Sequence, residues 1–307
     1  MSELWLEHVG LSWLGALEGE AGLPAVTQAR LGYCWSHLAL LFPNVAAFAR
    51  AADKSFHSQP PVDADFRVYD HSFYLLFMAW YFRLTGNPAA IDLLKQRYTL
   101  IGQHFDNAGV GGFGSQPIGI RSHNPYMHLL EALLTAFRHT QEEYWLAEAH
   151  KIESLFFTRL LDNETGLVFE FLNPDWTPTD ERRIEFGHQF EWSTLLLELG
   201  HTTTAARLQE YAVQHGFDDG LVINTPTDKS KLLWVQTEAV RRGALTWDVV
   251  RGRFFHANGW SWYNRLASDG TPIEEPSNPR LLYHIITAGG AGSSGRPAFF
   301  NGTVTRM

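Results

Sequence analysis

The sequence has one cysteine and no long apolar run. With Cys34 alone, the chain cannot form an internal disulfide or a cysteine-based zinc site, and such low cysteine use is typical of a reducing compartment. The longest apolar stretch, residues 73–82, is about half the length that spans a bilayer. The first residues lack the basic and apolar segments of a signal peptide. We therefore expect a cytoplasmic protein with no membrane partner.

Positive charge is also scarce. The 307 residues contain 24 Lys and Arg against 33 Asp and Glu, which gives a formal net charge of −9. The sequence shows no Lys- or Arg-rich run that would act locally. Proteins that bind nucleic acid need a basic surface, so we expect no nucleic-acid partner. The composition, 45% hydrophobic and 19% charged, excludes disordered and collagen-like classes.

Sustained period-2 alternation, the pattern of half-buried strands, is scarce, whereas apolar residues recur at helical spacing. Asn-Pro pairs at 87–88, 124–125 and 278–279 each place a capping residue before a proline that starts a helix. Together these patterns predict twelve helices, near residues 2–17, 24–42, 44–57, 66–85, 88–105, 122–139, 141–161, 182–199, 202–215, 229–243, 246–258 and 280–290.

Twelve helices suggest six helical hairpins, and six hairpins closed in a ring form an (α/α)6 barrel. We predict this all-α fold as a single domain over residues 1–290, followed by an irregular C-terminal tail at 291–307. The segments 106–121, 162–181 and 259–279 are rich in Gly, Pro, Asn and Asp and predict a rim of loops or short hairpins. In such a ring the even-numbered helices lie inside, and their N-termini share one mouth.

The even-numbered helices carry unusual polar or aromatic residues near their N-terminal ends. The spacings place Asn124, His128 and Glu131 on one helical face, and His188 with Glu191 on another. Gln236 and Glu238 are two apart, so at most one of them points inward with Trp234. Each inner helix carries one such candidate at a similar distance from its N-terminus, and therefore at a similar depth in the barrel. These candidates are Arg30, Tyr69, His128, His188, Trp234 and His284.

Each of these residues also has a purely structural interpretation. Asn124 serves equally well as a helix cap, Glu131 as an internal ion-pair partner, and Trp234 or Trp260 as core. Three histidines converging on one mouth with Arg, Asn and aromatics favour a site. We expect no metal, because His123 and His128 are on different helical faces and the spacing of His188 and Glu191 has no matching partner motif.

Several segments occur in an order that is similar to a known superfamily. They are Arg67-Val-Tyr69-Asp-His-Ser-Phe73, Asn124-Pro-Tyr-Met-His128-Leu-Leu-Glu131-Ala, Gly187-His188-Gln-Phe-Glu191-Trp192, Trp234-Val-Gln236-Thr-Glu238-Ala and Tyr283-His284. Over residues 24–290 the chain resembles the N-acylglucosamine 2-epimerase superfamily. The chain is shorter than is usual there, and Pro279 and Arg280 precede the last histidine where relatives often carry other groups.

The resemblance implies a six-hairpin barrel and cofactor-free isomerisation or epimerisation of a sugar at C2. It also implies that His188 and His284 are the catalytic acid/base pair. We predict an aldose–ketose isomerase acting on D-mannose and D-fructose, with a small sugar as partner and a monomer or homodimer as the assembly. The predicted sugar-binding residues are Arg30, Tyr69, Asn124, His128, Glu131, Glu191, Trp234, Glu238 and Trp260.

Such an isomerase removes the C2 proton beside a carbonyl and returns a proton to C1 through an enediol, and histidine has a suitable pKa for both steps. We assign His284 as the carbon base and His188 to ring opening and to proton movement at oxygen. The position of His188 at a helix N-terminus disfavours its charged form, and Glu191 opposes this. Arg30, helped by His128, is the candidate for stabilising the enediolate oxygen.

Three other functions fit the same residues. A 2-epimerase needs a second base across the sugar, and two histidines allow this as well. An α/α-barrel glycoside hydrolase would draw a carboxylate pair from Glu131, Glu191 and Glu238. A sugar- or partner-binding protein without catalysis would use the same scaffold.

Overall fold

The computed structural model describes residues 3–18, 20, 22–62, 67–103 and 120–293. Within these residues the chain forms twelve α-helices, each at a predicted position. They are α1 (Glu3–Ala16), α2 (Ala25–Leu41), α3 (Ala46–His57), α4 (Val68–Thr85), α5 (Pro88–Gln103), α6 (Asn124–Thr140), α7 (Glu143–Leu155), α8 (Phe186–Glu198), α9 (Thr202–Gly216), α10 (Leu233–Arg241), α11 (Trp247–Phe254) and α12 (Leu282–Ser293).

The even-numbered helices form the inner ring. Each contacts the next along the chain, and α12 closes the ring against α2. Helices α3, α5, α7, α9 and α11 each pack outside the inner helix that precedes them, and α1 covers α2 and α12. The predicted (α/α)6 barrel is confirmed.

Burial patterns explain which helices lie inside. The outer helix α3 buries a single stripe, Phe48, Ala52 and Phe56, at a spacing of four residues. The inner helix α4 is instead buried continuously from His71 to Ala79, because α2, α6 and α5 surround it. None of the helices in the described ranges is both long and apolar enough to cross a membrane.

Two of the three predicted Asn-Pro caps are present. The Asn87 and Asn278 side chains accept hydrogen bonds from the backbone N–H groups of Ala89 and Arg280, both at 3.0 Å. Asn124 is not a cap, because helix α6 already includes it. Its side chain is therefore available to the barrel mouth.

Short antiparallel strand pairs form the rim of the mouth. Strand β1 (Arg121–Ser122) pairs with β2 (Phe171–Leu172), β3 (Phe217–Asp218) with β4 (Leu221–Val222), and β5 (Lys231–Leu232) with β6 (Arg265–Leu266). The segments 162–181 and 259–279 thus contribute strands as predicted, whereas most of 106–121 lies outside the described residues.

Two glutamines attach this rim to the inner helices. The Gln189 side chain donates to the carbonyl of Val168 and accepts from its N–H, at 2.8 and 3.2 Å. Gln236 does the same to Val222, at 2.7 and 2.8 Å. Gln236 therefore faces the rim backbone and not the cavity.

The C-terminal end differs from the prediction. Helix α12 continues to Ser293, so the irregular tail does not begin at residue 291. The remainder of the predicted tail, 294–307, lies outside the described residues.

Candidate active site

A cavity of about 280 Å³ opens at the N-terminal ends of the inner helices. The predicted site residues all line it except Glu131, Glu238 and Trp260. The lining is Arg30, Tyr69, Asn124, His128, Glu185, His188, Glu191, Trp234, Asn278, Arg280, Leu281 and His284.

His188 lies in the first turn of α8 and is held from behind by a glutamate. Its Nδ1 donates to Oε1 and Oε2 of Glu170, at 2.8 and 2.9 Å. Since Nδ1 is engaged, Nε2 is the ring nitrogen that serves the cavity. Sequence reasoning missed Glu170, although a single acidic residue inside the apolar stretch 167–172 was a detectable signal.

The charge state of His188 is set by a glutamate outside its own helix. Burial would lower the pKa of His188, but Glu170, with support from Glu185 and Glu191, outweighs burial and raises the pKa to about 9. His188 is therefore an imidazolium at neutral pH. The sequence leaves open whether the helix N-terminus or the neighbouring Glu191 has the larger effect on His188. In the structure a buried carboxylate at hydrogen-bond distance, that of Glu170, exceeds the effect of the helix dipole.

Glu170 has a second histidine behind it. Nε2 of His123, which is fully buried, lies 3.2 Å from Oε1 of Glu170. The indole N–H of Trp192 donates to the other ring nitrogen, Nδ1 of His123, at 3.0 Å. Trp192, His123, Glu170 and His188 thus form one continuous hydrogen-bonded chain that ends at the cavity.

His284, in the first turn of α12, is held in a parallel way. Its Nδ1 donates to Oε1 of Glu238 at 2.9 Å, and Oε2 of Glu238 accepts from Arg241 at 2.8 Å. Burial lowers the pKa of His284 below its usual range, with Glu238 opposing. At neutral pH His284 is therefore uncharged while His188 is charged.

The indole of Trp234 lies against both histidines. Its centroid is 4.8 Å from the ring of His188 and 5.7 Å from that of His284. Gly187 makes this packing possible, because a Cβ there would lie 2.4 Å from an indole carbon. Trp234 thus provides an apolar wall between the two titrating groups.

Arg30 contributes a positive charge to the cavity lining. Its buried guanidinium lies 4.0 Å above the ring of Phe73 and donates to the hydroxyl of Tyr69 at 2.5 Å. A guanidinium held against an aromatic face keeps a fixed orientation. It can therefore donate to oxygen atoms of a bound ligand without reorganising.

His128 stands beside this cation. Its Nδ1 is 3.3 Å from Oε2 of Glu131, and burial lowers the pKa of His128 to about 4 although Glu131 opposes this. His128 is therefore neutral across the physiological range and able to hydrogen-bond a ligand in the cavity.

The three inner glutamates have different environments. Glu131 is engaged by the hydroxyl of Tyr283, by His128 and by Arg241, whose Nη2 is 3.9 Å away. Glu238 is fully buried between His284 and Arg241. The structure thus places Glu131 and Glu238 behind the cavity lining, where they hold other side chains.

Glu191 does line the cavity, and its Oε1 has no hydrogen-bond partner among the described residues. Burial and the neighbouring charges of Glu238 and Glu131 raise the pKa of Glu191 well above its usual range. Its environment therefore favours the protonated form more than that of an ordinary glutamate.

Trp260, unlike Glu131 and Glu238, forms no hydrogen bond with the cavity-lining side chains of the described residues and packs on helix α1. Its ring packs edge-on against Trp13 of α1, with centroids 5.8 Å apart, and its carbonyl accepts from the Trp13 indole at 3.1 Å. The segment after α11 folds back on α1, so among the described residues Trp260 is not part of the cavity lining.

Asn124 is in the lining, and its Oδ1 has no partner in the described part of the chain.

Two groups of side chains bring metal-ligating atoms close together, namely His123, Glu170 and His188, and His128, Glu131 and Glu191. In the first group the 2.8 Å separation between Nδ1 of His188 and Glu170 is shorter than the about 3.3 Å between ligands of a tetrahedral zinc ion. The separation between Nδ1 of His188 and Oε1 of Glu170 is that of a hydrogen bond. In the second group Arg241 and Tyr283 already engage Glu131.

The fold and the cavity together define a class: α/α-barrel proteins with a histidine pair at the barrel mouth. A profile of the N-acylglucosamine 2-epimerase (GlcNAc 2-epimerase) family matches residues 47–252. The chain belongs to this family, and the predicted resemblance is confirmed.

Relatives within the family include two isomerases. The chain is 28% identical over 280 residues to a mannose-6-phosphate isomerase of Rhizobium meliloti (strain 1021), covering 74% of this chain and 70% of the relative. It is 27% identical over 285 residues to a D-mannose isomerase of Thermobifida fusca, covering 74% and 69%. A solved D-mannose isomerase structure matches with a TM-score of 0.74 at 19% identity, over 88% of this chain and 87% of that one, which shows a shared fold.

Proposed function

We propose that the chain is an aldose–ketose isomerase that interconverts D-mannose and D-fructose without a metal ion or cofactor. The observation that carries the proposal is the pair of cavity histidines, each held through Nδ1 by its own buried glutamate. At neutral pH His188 is protonated and His284 is neutral. Two titrating groups whose pKa values are pushed apart are the mark of an acid/base pair. The similarity to a mannose-6-phosphate isomerase and to a D-mannose isomerase supports mannose as the substrate.

His284 and His188 act in concert on the open-chain sugar. Neutral His284 takes the C2 proton, the C2–H electron pair forms the C1=C2 bond, and O1 accepts a proton from His188. In the second half, the O2 hydroxyl returns a proton to His188 as the C2 carbonyl forms, and His284 delivers its proton to C1. Both histidines end in their starting states. Ring opening uses His188 in the same manner, giving a proton to the ring oxygen and recovering one from O1.

The surrounding groups stabilise the charge that develops on oxygen. Arg30 supplies fixed N–H donors and a positive charge, and His128 supplies a neutral imidazole. Donors oriented before the reaction act most strongly in a site of low dielectric. Trp234 supplies the apolar surface on which the sugar carbons rest.

A 2-epimerase is the second candidate. The position of His188 and His284 around one indole would let one group remove the C2 proton and the other return a proton to the opposite face. A glycoside hydrolase is disfavoured, because it needs a pair of carboxyl groups and only Glu191 of its three candidates lines the cavity in the described residues.

The deciding experiment is proton NMR of D-mannose with the pure protein in heavy water containing EDTA. We expect fructose as the first product, with deuterium incorporated from solvent. Glucose that appears without a fructose lag would establish the epimerase instead. No conversion of D-mannose or of D-mannose 6-phosphate would overturn the proposal. Loss of activity in EDTA that added divalent metal restores would refute the metal-free mechanism.

A further inference from the structure

The two glutamates that hold the histidines have unlike partners on their far sides. Oε1 of Glu170 accepts from Nε2 of His123 at 3.2 Å. Oε2 of Glu238 accepts from the guanidinium of Arg241 at 2.8 Å. One glutamate is therefore backed by an imidazole and the other by a permanent cation.

The hydrogen bonds define the charge on His123. An indole N–H can only donate, so Nδ1 of His123, at 3.0 Å from Nε1 of Trp192, is an acceptor without a proton. The single ring proton then lies on Nε2 and is donated to Glu170. His123 is an uncharged partner, and it leaves the full negative charge of Glu170 acting on His188.

Arg241 has the opposite effect on Glu238. It is the last residue of α10, its side chain is 9% exposed, and it also lies 3.9 Å from Oε1 of Glu131. Attraction between charges is strong where water is excluded. The guanidinium therefore neutralises the negative charge that would otherwise favour a protonated His284.

We propose that Arg241 and His123, neither of which is in the cavity lining of the described chain, decide which histidine is the base and which is the acid. Arg241 keeps His284 free of a proton by neutralising Glu238, and His123 keeps His188 protonated by leaving Glu170 uncompensated. The inference rests on the proposed function, in which these histidines share the proton transfers. Both residues are positioning residues, since they act through a glutamate.

The other groups around each histidine leave this difference in place. Glu185, with Oε2 3.5 Å from Nδ1 of His188, adds negative charge there. Arg30 adds positive charge near His284, while Glu131 acts against it and is itself paired with Arg241. The groups that face His188 are Glu170, Glu185, Glu191, His123 and Trp234, and those that face His284 are Glu238, Glu131, Arg30, His128, Tyr283 and Trp234.

The test is an NMR titration of 15N-histidine-labelled protein, with resonances of His188 and His284 assigned from His→Gln variants. In Arg241→Gln we expect the midpoint of His284 to move up by about one pH unit or more, while His188 stays within about 0.3 of its original midpoint. Arg241→Lys keeps the charge and should restore His284. Arg138→Gln breaks a different Arg–Glu pair, with Glu198, and should move neither midpoint.

An unchanged His284 midpoint in Arg241→Gln would overturn the proposal. If that variant does not fold, the double variant Arg241→Gln/Glu131→Gln removes one charge of each sign and serves for the same measurement. Because the titration needs no turnover, it is independent of the assay for the proposed function. Where turnover is present, the acid limb of kcat/KM should move upward with His284 while the alkaline limb stays in place.

Discussion

Glu170 holds His188 from a connection between helices, with both carboxylate oxygens within 2.9 Å of Nδ1. The rim strand β2 begins at the next residue, Phe171, and pairs with β1 immediately before α6. The orientation of a cavity histidine therefore depends on a pair of rim strands from distant parts of the chain, and not only on its own helix.

Glu170→Gln removes the charge that raises the pKa of His188. We expect the alkaline limb of the pH–rate profile to move to lower pH and kcat at pH 8 to fall by about tenfold. Glu164→Gln, an exposed change in the same connection with 83% side-chain exposure, is the matched control. An alkaline limb that stays in place in Glu170→Gln would show that Glu170 does not set the charge of His188.

The pH dependence of the unmodified protein follows from the two histidines. His188 must carry a proton, so activity is lost as pH rises through its pKa of about 9. In the proposed mechanism His284 must be neutral, and its lowered pKa places the acid limb below the usual histidine value of 6.5. We expect kcat/KM, measured from pH 4 to 10, to be flat between these limbs. An acid limb above 6.5 would contradict the assignment of His284 as base.

Removing either histidine should abolish turnover without unfolding the chain. We expect His188→Gln and His284→Gln to lower kcat by about 10²–10⁴-fold, the usual contribution of an acid/base group. Circular dichroism and thermal melts check the fold. His57→Gln, at a side chain that is 66% exposed on α3, should leave kcat unchanged. Near-normal kcat in either cavity variant would remove that residue from the mechanism.

Gly187→Ala tests the wall formed by Trp234. The new Cβ would lie 2.4 Å from the indole, so the ring must move toward the cavity. We expect a rise in KM of about tenfold and a loss of about 1–3 kcal/mol in the free energy of unfolding. Gly102→Ala, where a Cβ meets nothing within 4 Å, should leave KM unchanged. Trp234→Phe introduced into Gly187→Ala should recover part of the stability, and failure to do so would locate the strain elsewhere.

The helices were predictable because their signals are local: apolar periodicity, Asn87 and Asn278 as caps, and loop residues between them. The cavity lining followed from the barrel, since inner helices bring residues of equal depth to one mouth. Glu170, His123 and Arg241 were missed because their importance arises from contacts with distant segments. Trp260 was misplaced for the same reason, since its sequence does not specify that it packs on Trp13.

The two glutamine clamps have a further consequence. Gln189 and Gln236 grip Val168 and Val222 with the same pair of hydrogen bonds, and each is followed two residues later by a glutamate. Successive hairpins of the barrel therefore carry one structural template in duplicate. Glu191 and Glu238 occupy its equivalent positions, yet burial raises the pKa of Glu191 at the cavity, whereas Arg241 lowers the pKa of Glu238 behind His284. The same local pattern thus gives a cavity-lining side chain in one hairpin and a support for His284 in the next.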